Sequence, residues 1–343
     1  MPITLSNNGS VQQASYHLGS AQEKFQMSIR RLASGKRIVG PNEDPGTLAV
    51  SMKVRASVER LVGAQNNVRS GIGFLEVQDG LLETAGRILM RMSELKGYAT
   101  QDPLKSDNDT ASYNNEFEDL QHQLYDISQM KFNEQMLFAD RNSNGGLAYF
   151  GGKDQIDSRA NLISIHTSSE GSSGSKVEIH RSLFLSALVI DNQETPRNAW
   201  EGSTNNSSAS TPTAATDWDT VSAAVPAAGT EIIDGFVALA RESSVAALSL
   251  GNIRTETLEA AIENIVFLRA QAGGGMSRLQ FAMDSIATQE TNMRSALGRI
   301  EDVDMAMESA NLAKYGILMQ ASAAMVTQAN LSNEVALTLI RGM

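Results

Sequence analysis

Near the start of the chain, Val11, Ala14, Leu18, Ala21, Phe25, Ser28 and Leu32 recur in alternating steps of three and four. That spacing draws a narrow stripe along one side of a helix, the seam of a coiled coil. The pattern stops at Ala33, Ser34 and Gly35, and residues 39–46, rich in Pro, Gly, Asn and Asp, predict a loop. A second helical run then carries Val54, Val58, Leu61, Val68, Ile72, Leu75, Leu82, Leu89 and Met92 on one side. Asp102 and Pro103 end it, because the residue before a proline disfavours the helical region. A third run over about 112–130 carries Phe117, Leu120, Leu124 and Ile127.

The far end repeats the theme. Leu258, Ile262, Ile265 and Leu268 form a helix face that is expected to end in a turn at Gly273, Gly274 and Gly275. From Met276 the stripe resumes as Leu279, Met283, Ile286, Met293, Leu297 and Ile300. It then slips by three residues and continues as Val303, Met307, Ala310, Ile317, Ala321, Ala324, Leu331 and Val335. A three-residue slip rotates the apolar seam around the helix, so this is a joint between two packing environments. Helix from residue 276 to about 339 would be about 95 Å long, more than a single-domain globule encloses. A narrow stripe cannot bury itself and needs partner helices from the same chain or from neighbours. The simplest arrangement pairs the N-terminal helix with the C-terminal one.

The middle differs. Gly145, Gly146, Gly151, Gly152 and the run 171–175 break the chain, and between the breaks lie short β-like runs, Leu162–His166, Lys176–His180 and 183–190, the last ambiguous with helix. Residues 201–216 are almost all Ser, Thr, Asn, Ala and Gly, too polar to pack a core, and predict a surface loop. The seven prolines reinforce the division: none occurs over 46–102 or 227–343, which leaves those stretches free for long helices. The fold class predicted is mainly α: an elongated antiparallel helical bundle or coiled-coil rod built from the N- and C-terminal segments, with a small β-containing central insertion.

Composition narrows the function. Aromatics are only 5% of the 343 residues, so apolar surface comes from Ala, Leu, Ile, Val and 15 Met. The many methionines on the C-terminal stripe fit helix packing, where flexible thioethers fill gaps. Cysteine is absent, which excludes disulfides, thiolate catalysis and Cys-ligated metals. The net charge of −11 argues against a nucleic-acid partner, and the one basic cluster, Arg30, Arg31, Lys36 and Arg37, is short and broken. Residues 1–10 lack a basic start and an apolar stretch, so they do not read as a secretory signal peptide, and no run is long enough to insert in a membrane. The four histidines, His17, His122, His166 and His180, show no metal-ligand spacing, and His166 and His180 read as surface residues. No nucleophile elbow, P-loop or dinucleotide fingerprint occurs. No enzyme activity, metal or cofactor is expected.

Particular words then carry a resemblance. Residues 29–38, IRRLASGKRI, followed by 42–46, NEDPG, resemble the loop after the first helix of bacterial flagellin, "RLSSGLRIN…DDAAG". Residues 298–304, GRIEDVD, resemble its "SRIEDADxA", while 317–321, ILMQA, with Ala329 and Asn330, resemble "ILQQAGxxxLAQAN". Residues 66–73 and 130–138 also fit, so the likeness covers about 1–140 and 255–343 in the right order. The chain departs from the family at Pro2 to Gly9, where "INTN" is usual.

The resemblance implies an inner coiled-coil domain of residues 1–45 with 300–343, a helical rod domain of 46–140 with 245–299, and a variable outer domain of 141–244. It implies a subunit that self-assembles into the flagellar filament for swimming, is exported unfolded through the flagellar channel, and lies outside the cell. In that family the terminal helices order on assembly. The partners implied are further copies of the chain, an export chaperone on the C-terminal helix, the filament cap and the hook–filament junction proteins. Two other readings compete: a junction protein of the same helical scheme, and an adhesin or enzyme displayed through the insertion.

Site residues on this reading are interfaces. Leu18, Phe25 and Leu32 are expected to face Ile317, Leu331 and Val335 in the inner layer, and Leu75, Leu82 and Leu89 to pack with Leu279, Met283 and Ile286 in the rod. The segment read by the vertebrate Toll-like receptor for flagellin resembles residues 89–95, with Arg91, Glu94 and Leu95 matching and Ser93 in place of an arginine. Ser203, Thr204, Ser207, Ser208, Ser210 and Thr211 are candidate acceptors for O-linked sugars.

Overall fold

A computed structural model of the chain describes residues 9–101, 106–139, 161–191, 236–241 and 248–341. These are mainly helical, and the chain divides into two compact units, Met1–Glu59 with Thr288–Met343, and Arg60–Ala287.

In the first unit, α1 (Gly9–Ser34) lies antiparallel to α6 (Met305–Arg341). Three contacts set the direction. Lys24 Nζ sits 5.9 Å over the Tyr315 ring, Phe25 lies against Gly316, and Arg31 reaches toward Glu308 at 4.0 Å. Gly35 ends α1 in the left-handed conformation, φ +69°, the usual role of a glycine just past a helix. Helix α5 (Thr255–Glu301) breaks at the same level, where Lys36 bridges Asp302 in antiparallel fashion. The Arg37 N–H donates to the Glu301 carbonyl at 2.6 Å, and the Val303 N–H donates to the Gly35 carbonyl at 3.0 Å. The joint predicted from the slipped stripe is therefore an extended crossing of two chain segments.

Aspartates restart the helices on either side. Asp44 accepts the Thr47 N–H at 3.0 Å and is followed by Pro45, which opens α2 (Pro45–Gln101) with its fixed φ. Asp304 accepts the N–H groups of Ala306 and Met307 at the start of α6. Lys36 and Arg55 both pair with the Glu301 carboxylate, and Arg31 pairs with Glu43, so two of the four clustered cations, Arg31 and Lys36, are engaged by carboxylates of the same unit.

The second unit packs α2 antiparallel to α5 from Gly71 beside Leu279, through Leu75 beside Gly275, to Gly86 beside Ile265. Arg269 bridges Asp79 at 2.8 Å and Glu83 at 3.3 Å across the same pair. Helix α3 (Asp107–Ser128) begins with a capping box between Ser106 and Asp109 and buries Phe117, Leu124 and Ile127. A tight hairpin, β1 (Lys131–Phe132) with β2 (Gln135–Met136), follows it, and Asn133 and Glu134 both take positive φ in the two-residue turn. The β-like runs form β3 (Leu162–His166), paired antiparallel with β4 (Lys176–His180). The ambiguous stretch splits into the short helix α4 (Phe184–Ala187) and β5 (Val189–Asp191), which pairs with β6 (Phe236–Ala238).

Two expectations fail here. The turn at Gly273, Gly274 and Gly275 does not form, and α5 runs straight through all three. Three glycines in a helix cost about 3 kcal/mol against alanine, and the burial of Leu268, Ala272, Leu279 and Ile286 on the same helix offsets it. His166 and His180 are half-buried rather than surface residues, since they face one another's strands in the β3–β4 ladder. Burial, then the positive Arg278 nearby, holds the His180 imidazole below its ordinary pKa.

Candidate assembly surface

The pairing of α1 with α6 leaves most of α6 uncovered. Every member of the α1 stripe, Val11, Ala14, Leu18, Ala21, Phe25, Ser28 and Leu32, is buried or half-buried. On α6 the sheltered positions between 305 and 331 are Glu308, Asn311, Leu312, Tyr315, Gly316, Met319, Ser322, Val326 and Ala329, which fall on one side of the helix. The seam is thin. Its fully buried members among the described residues are Ala21, Ser28, Glu308 and Ser322, while its larger side chains stay partly exposed. Gly316 lies under the Phe25 ring, where a Cβ would stand 3.4 Å from the nearest ring carbon, just in contact.

The α6 stripe read from the sequence is a different one. Ile317, Leu331 and Val335 are 66%, 49% and 59% exposed, and Met307 and Leu318 also face outward. At 3.6 residues per turn this outer stripe lies about 150° around the helix from the inner seam. Leu18, Phe25 and Leu32 are thus on the inner seam, and Ile317, Leu331 and Val335 do not face them within the chain. Apolarity identified the outer stripe correctly as a surface that water disfavours, but the inner seam is poorer in large apolar residues and was passed over. One helix carries two seams, and a single chain covers only one.

Comparison with known proteins bears on what covers the other. The family model described as the bacterial flagellin N-terminal helical region matches residues 5–143, and that described as the bacterial flagellin C-terminal helical region matches 255–340. The chain belongs to the bacterial flagellin family. It is 27% identical to the flagellin of Listeria monocytogenes over 94% of each chain. It is 26% identical to the flagellar filament 30.7 kDa core protein of Treponema maltophilum, covering 98% of this chain and 100% of that one. It is also 26% identical to the flagellin of Bacillus subtilis, over 94% of this chain and 95% of the relative. The protein is a structural subunit of a flagellar filament, the organelle of motility, and these matches do not favour the junction-protein, adhesin or enzyme readings. No helix among the described residues is long and apolar enough to cross a membrane.

The remaining predicted residues of this flagellin sort by placement. Leu75, Leu82, Leu89, Leu279 and Ile286 are buried and Met283 is half-buried, but the register differs from the expected pairing. Leu75 lies against Gly275, and Leu279 lies against Gly71, so Leu82 and Leu89 fall level with Leu268 and Ala261 rather than with Met283 and Ile286. Arg91 is exposed and held by Glu116 at 2.7 Å and Glu94 at 2.6 Å, contacts that raise its pKa above the ordinary value. Leu95 is wholly buried, so of the three matching residues only Arg91 and Glu94 present a surface in the folded chain. Ser203, Thr204, Ser207, Ser208, Ser210 and Thr211 lie outside the described residues.

Buried amides were missed by the sequence reading. Gln121 donates to the Leu248 carbonyl at 2.7 Å and accepts the Leu248 N–H at 3.0 Å, holding the returning chain onto α3 as a strand neighbour would. Gln78 donates to the Leu137 carbonyl at 2.7 Å, and Asn264 to the Ala187 carbonyl at 2.8 Å. The available signal was an amide standing in an apolar stripe at core spacing: Gln78 between Leu75 and Leu82, Gln121 between Phe117 and Leu124.

Proposed function

We propose that filament growth covers the outer stripe of α6 with further copies of the chain, and that Met307, Ile317, Leu331 and Val335 form part of that polymerisation interface. The observation that carries this reading is the mismatch within one helix pair: a thin inner seam beside an apolar outer stripe that the chain leaves in water. A contact that joins one patch of a subunit to a different patch of the next repeats without closing, which gives a helical polymer. Leu18, Phe25 and Leu32, half-buried on α1, become fully covered in the same step. On this reading residues 1–45 with 300–343 make the inner layer, 46–140 with 245–299 the rod, and 141–244 the outer surface. The chain leaves the cell unfolded through the flagellar channel. The export chaperone engages α6, whose apolar stripe needs shielding before assembly, and the cap and junction proteins meet the two ends of the filament.

Removing residues 310–343 should leave a soluble subunit that does not elongate seeds under the electron microscope. Filaments formed by the truncated protein would refute the role of α6. The full-length Ile317→Asp variant is the finer test. It should raise the subunit concentration needed for growth by roughly tenfold or more, because every repeat would bury a carboxylate without a partner. Growth at the parental concentration would remove Ile317 from the interface.

A further inference from the structure

The outer stripe of α6 is unusual in the chemistry it exposes. Met307 is 66% exposed and Met325, flanking the same stripe, is 55% exposed. Both lie on a continuous helix among small or aliphatic neighbours, Ala310, Ile317, Leu318, Ala321 and Ala324. A thioether open to solvent is a two-electron oxidation site, and the chain has no cysteine to compete for the same oxidants.

We infer that Met307 and Met325 are oxidation sites whose conversion to sulfoxide blocks incorporation of the unassembled subunit. A sulfur lone pair attacks one oxygen of hydrogen peroxide, an S–O bond forms and the O–O bond breaks. Sulfur gives up two electrons, and the departing hydroxide keeps its own proton, takes the one left on the S–O–H group directly or through a relaying water, and leaves as water. The product replaces an apolar, flexible end with a polar S=O that needs a hydrogen-bond donor. The stripe around both sulfurs is mainly alanine and aliphatic side chains, with Lys314 and Gln328 the exposed donors on that side, so the oxidised face is harder to dry against a second copy. The inference rests on the reading that a copy covers this stripe, and it adds a chemical control to that surface. It also makes the filament self-protecting, since assembly would shelter both sulfurs.

The test uses full-length subunits exposed to hydrogen peroxide, freed of it, and then seeded. Peptide mass spectrometry reports which methionines have gained oxygen. Oxidised parent should need roughly tenfold more subunit for the same elongation. The Met307→Leu/Met325→Leu variant, given identical treatment, should keep most of its elongation while Met52, Met90 and Met130, exposed elsewhere, are oxidised as in the parent. Loss of elongation in the double variant equal to the parent's would overturn the inference, as would normal elongation of parent carrying both sulfoxides. Should the leucine variant fold or assemble poorly without peroxide, Met307→Gln and Met325→Gln, which place a polar end at the same length, supply the decision: parental growth by both would refute the proposal. The underlying reading fails separately, by equal oxidation of Met307 and Met325 in filaments and in free subunits.

Discussion

At position 71 a side chain would collide first with the end of Ile165, which would have to move. A Cβ on Gly71 would stand 2.1 Å from Ile165 Cδ1 and 3.2 Å from Leu279 Cδ1, between β3 and α5. Gly71→Ala should therefore displace Ile165 and lower unfolding stability by about 1–3 kcal/mol, measured by denaturant titration. A variant as stable as the parent would show that the three elements do not close on this residue. His180, on the neighbouring strand, has its folded pKa depressed below the ordinary 6.5. A depressed pKa means that the unfolded chain binds more protons, so the contribution of His180 is present above about pH 6.5 and is lost as pH falls through the folded value. Stability should decline on acidification from neutral pH, and less steeply in His180→Asn. Superimposable pH profiles would remove the histidine from the account. Neither residue announces its role in the sequence: Gly71 is one of two close glycines, with Gly73, in a helical run, and His180 acquires its environment from burial, Arg278 and Glu178.

Helix boundaries show how local signals and packing divide the work. The ends of α2 were legible because prolines act on their immediate neighbours, whereas α3 begins at Asp107, behind the Ser106–Asp109 capping box and five residues before the run that apolar spacing marks. The Gly273–275 turn was misread because three glycines are a strong local signal that long-range burial on the same helix outweighs. Gly274 is exposed and helical, with nothing within 4 Å of where its Cβ would stand. Gly274→Ala should thus stabilise the subunit by about 1 kcal/mol, through a less flexible unfolded chain and better helix propensity. A drop in unfolding midpoint would mean that the glycine serves a contact the free subunit lacks. On α6 the same division appears around the helix rather than along it. The apolar stripe was visible in the letters, but the seam that meets α1 includes Glu308, Tyr315, Gly316 and Ser322, which hydrophobicity does not select. Arg31 and Phe25 on the partner helix give those residues their place.

For the molecule as a whole, the two units differ in how much they bury. The second closes over large apolar side chains such as Leu75, Leu82, Leu89, Met92, Phe117 and Leu124, whereas the α1–α6 seam of the first fully buries mainly small ones. Backbone amides of α1 and α6 should therefore exchange hydrogen faster than those of α2 around 75–92 in the free subunit, and slow markedly on filament growth. Equal protection in the free subunit would contradict the claim that the thin seam waits for cover. The structure already has α1 and α6 helical and paired in the single chain, so ordering on assembly would act on a formed but weakly held pair. By itself the sequence determined what is decided over a few turns: the helical periodicity, a loop from 39 that ends two residues earlier than read because α2 starts at Pro45, the joint near 302, and the family words at both ends. Only tertiary structure decided register, the persistence of α5 through its glycines, the burial of Gln78, Gln121 and His180, and which side of α6 meets its own chain. Each of these depends on groups far apart in the chain approaching within a few ångströms, and an apolar stripe records the need for a partner without recording which partner comes.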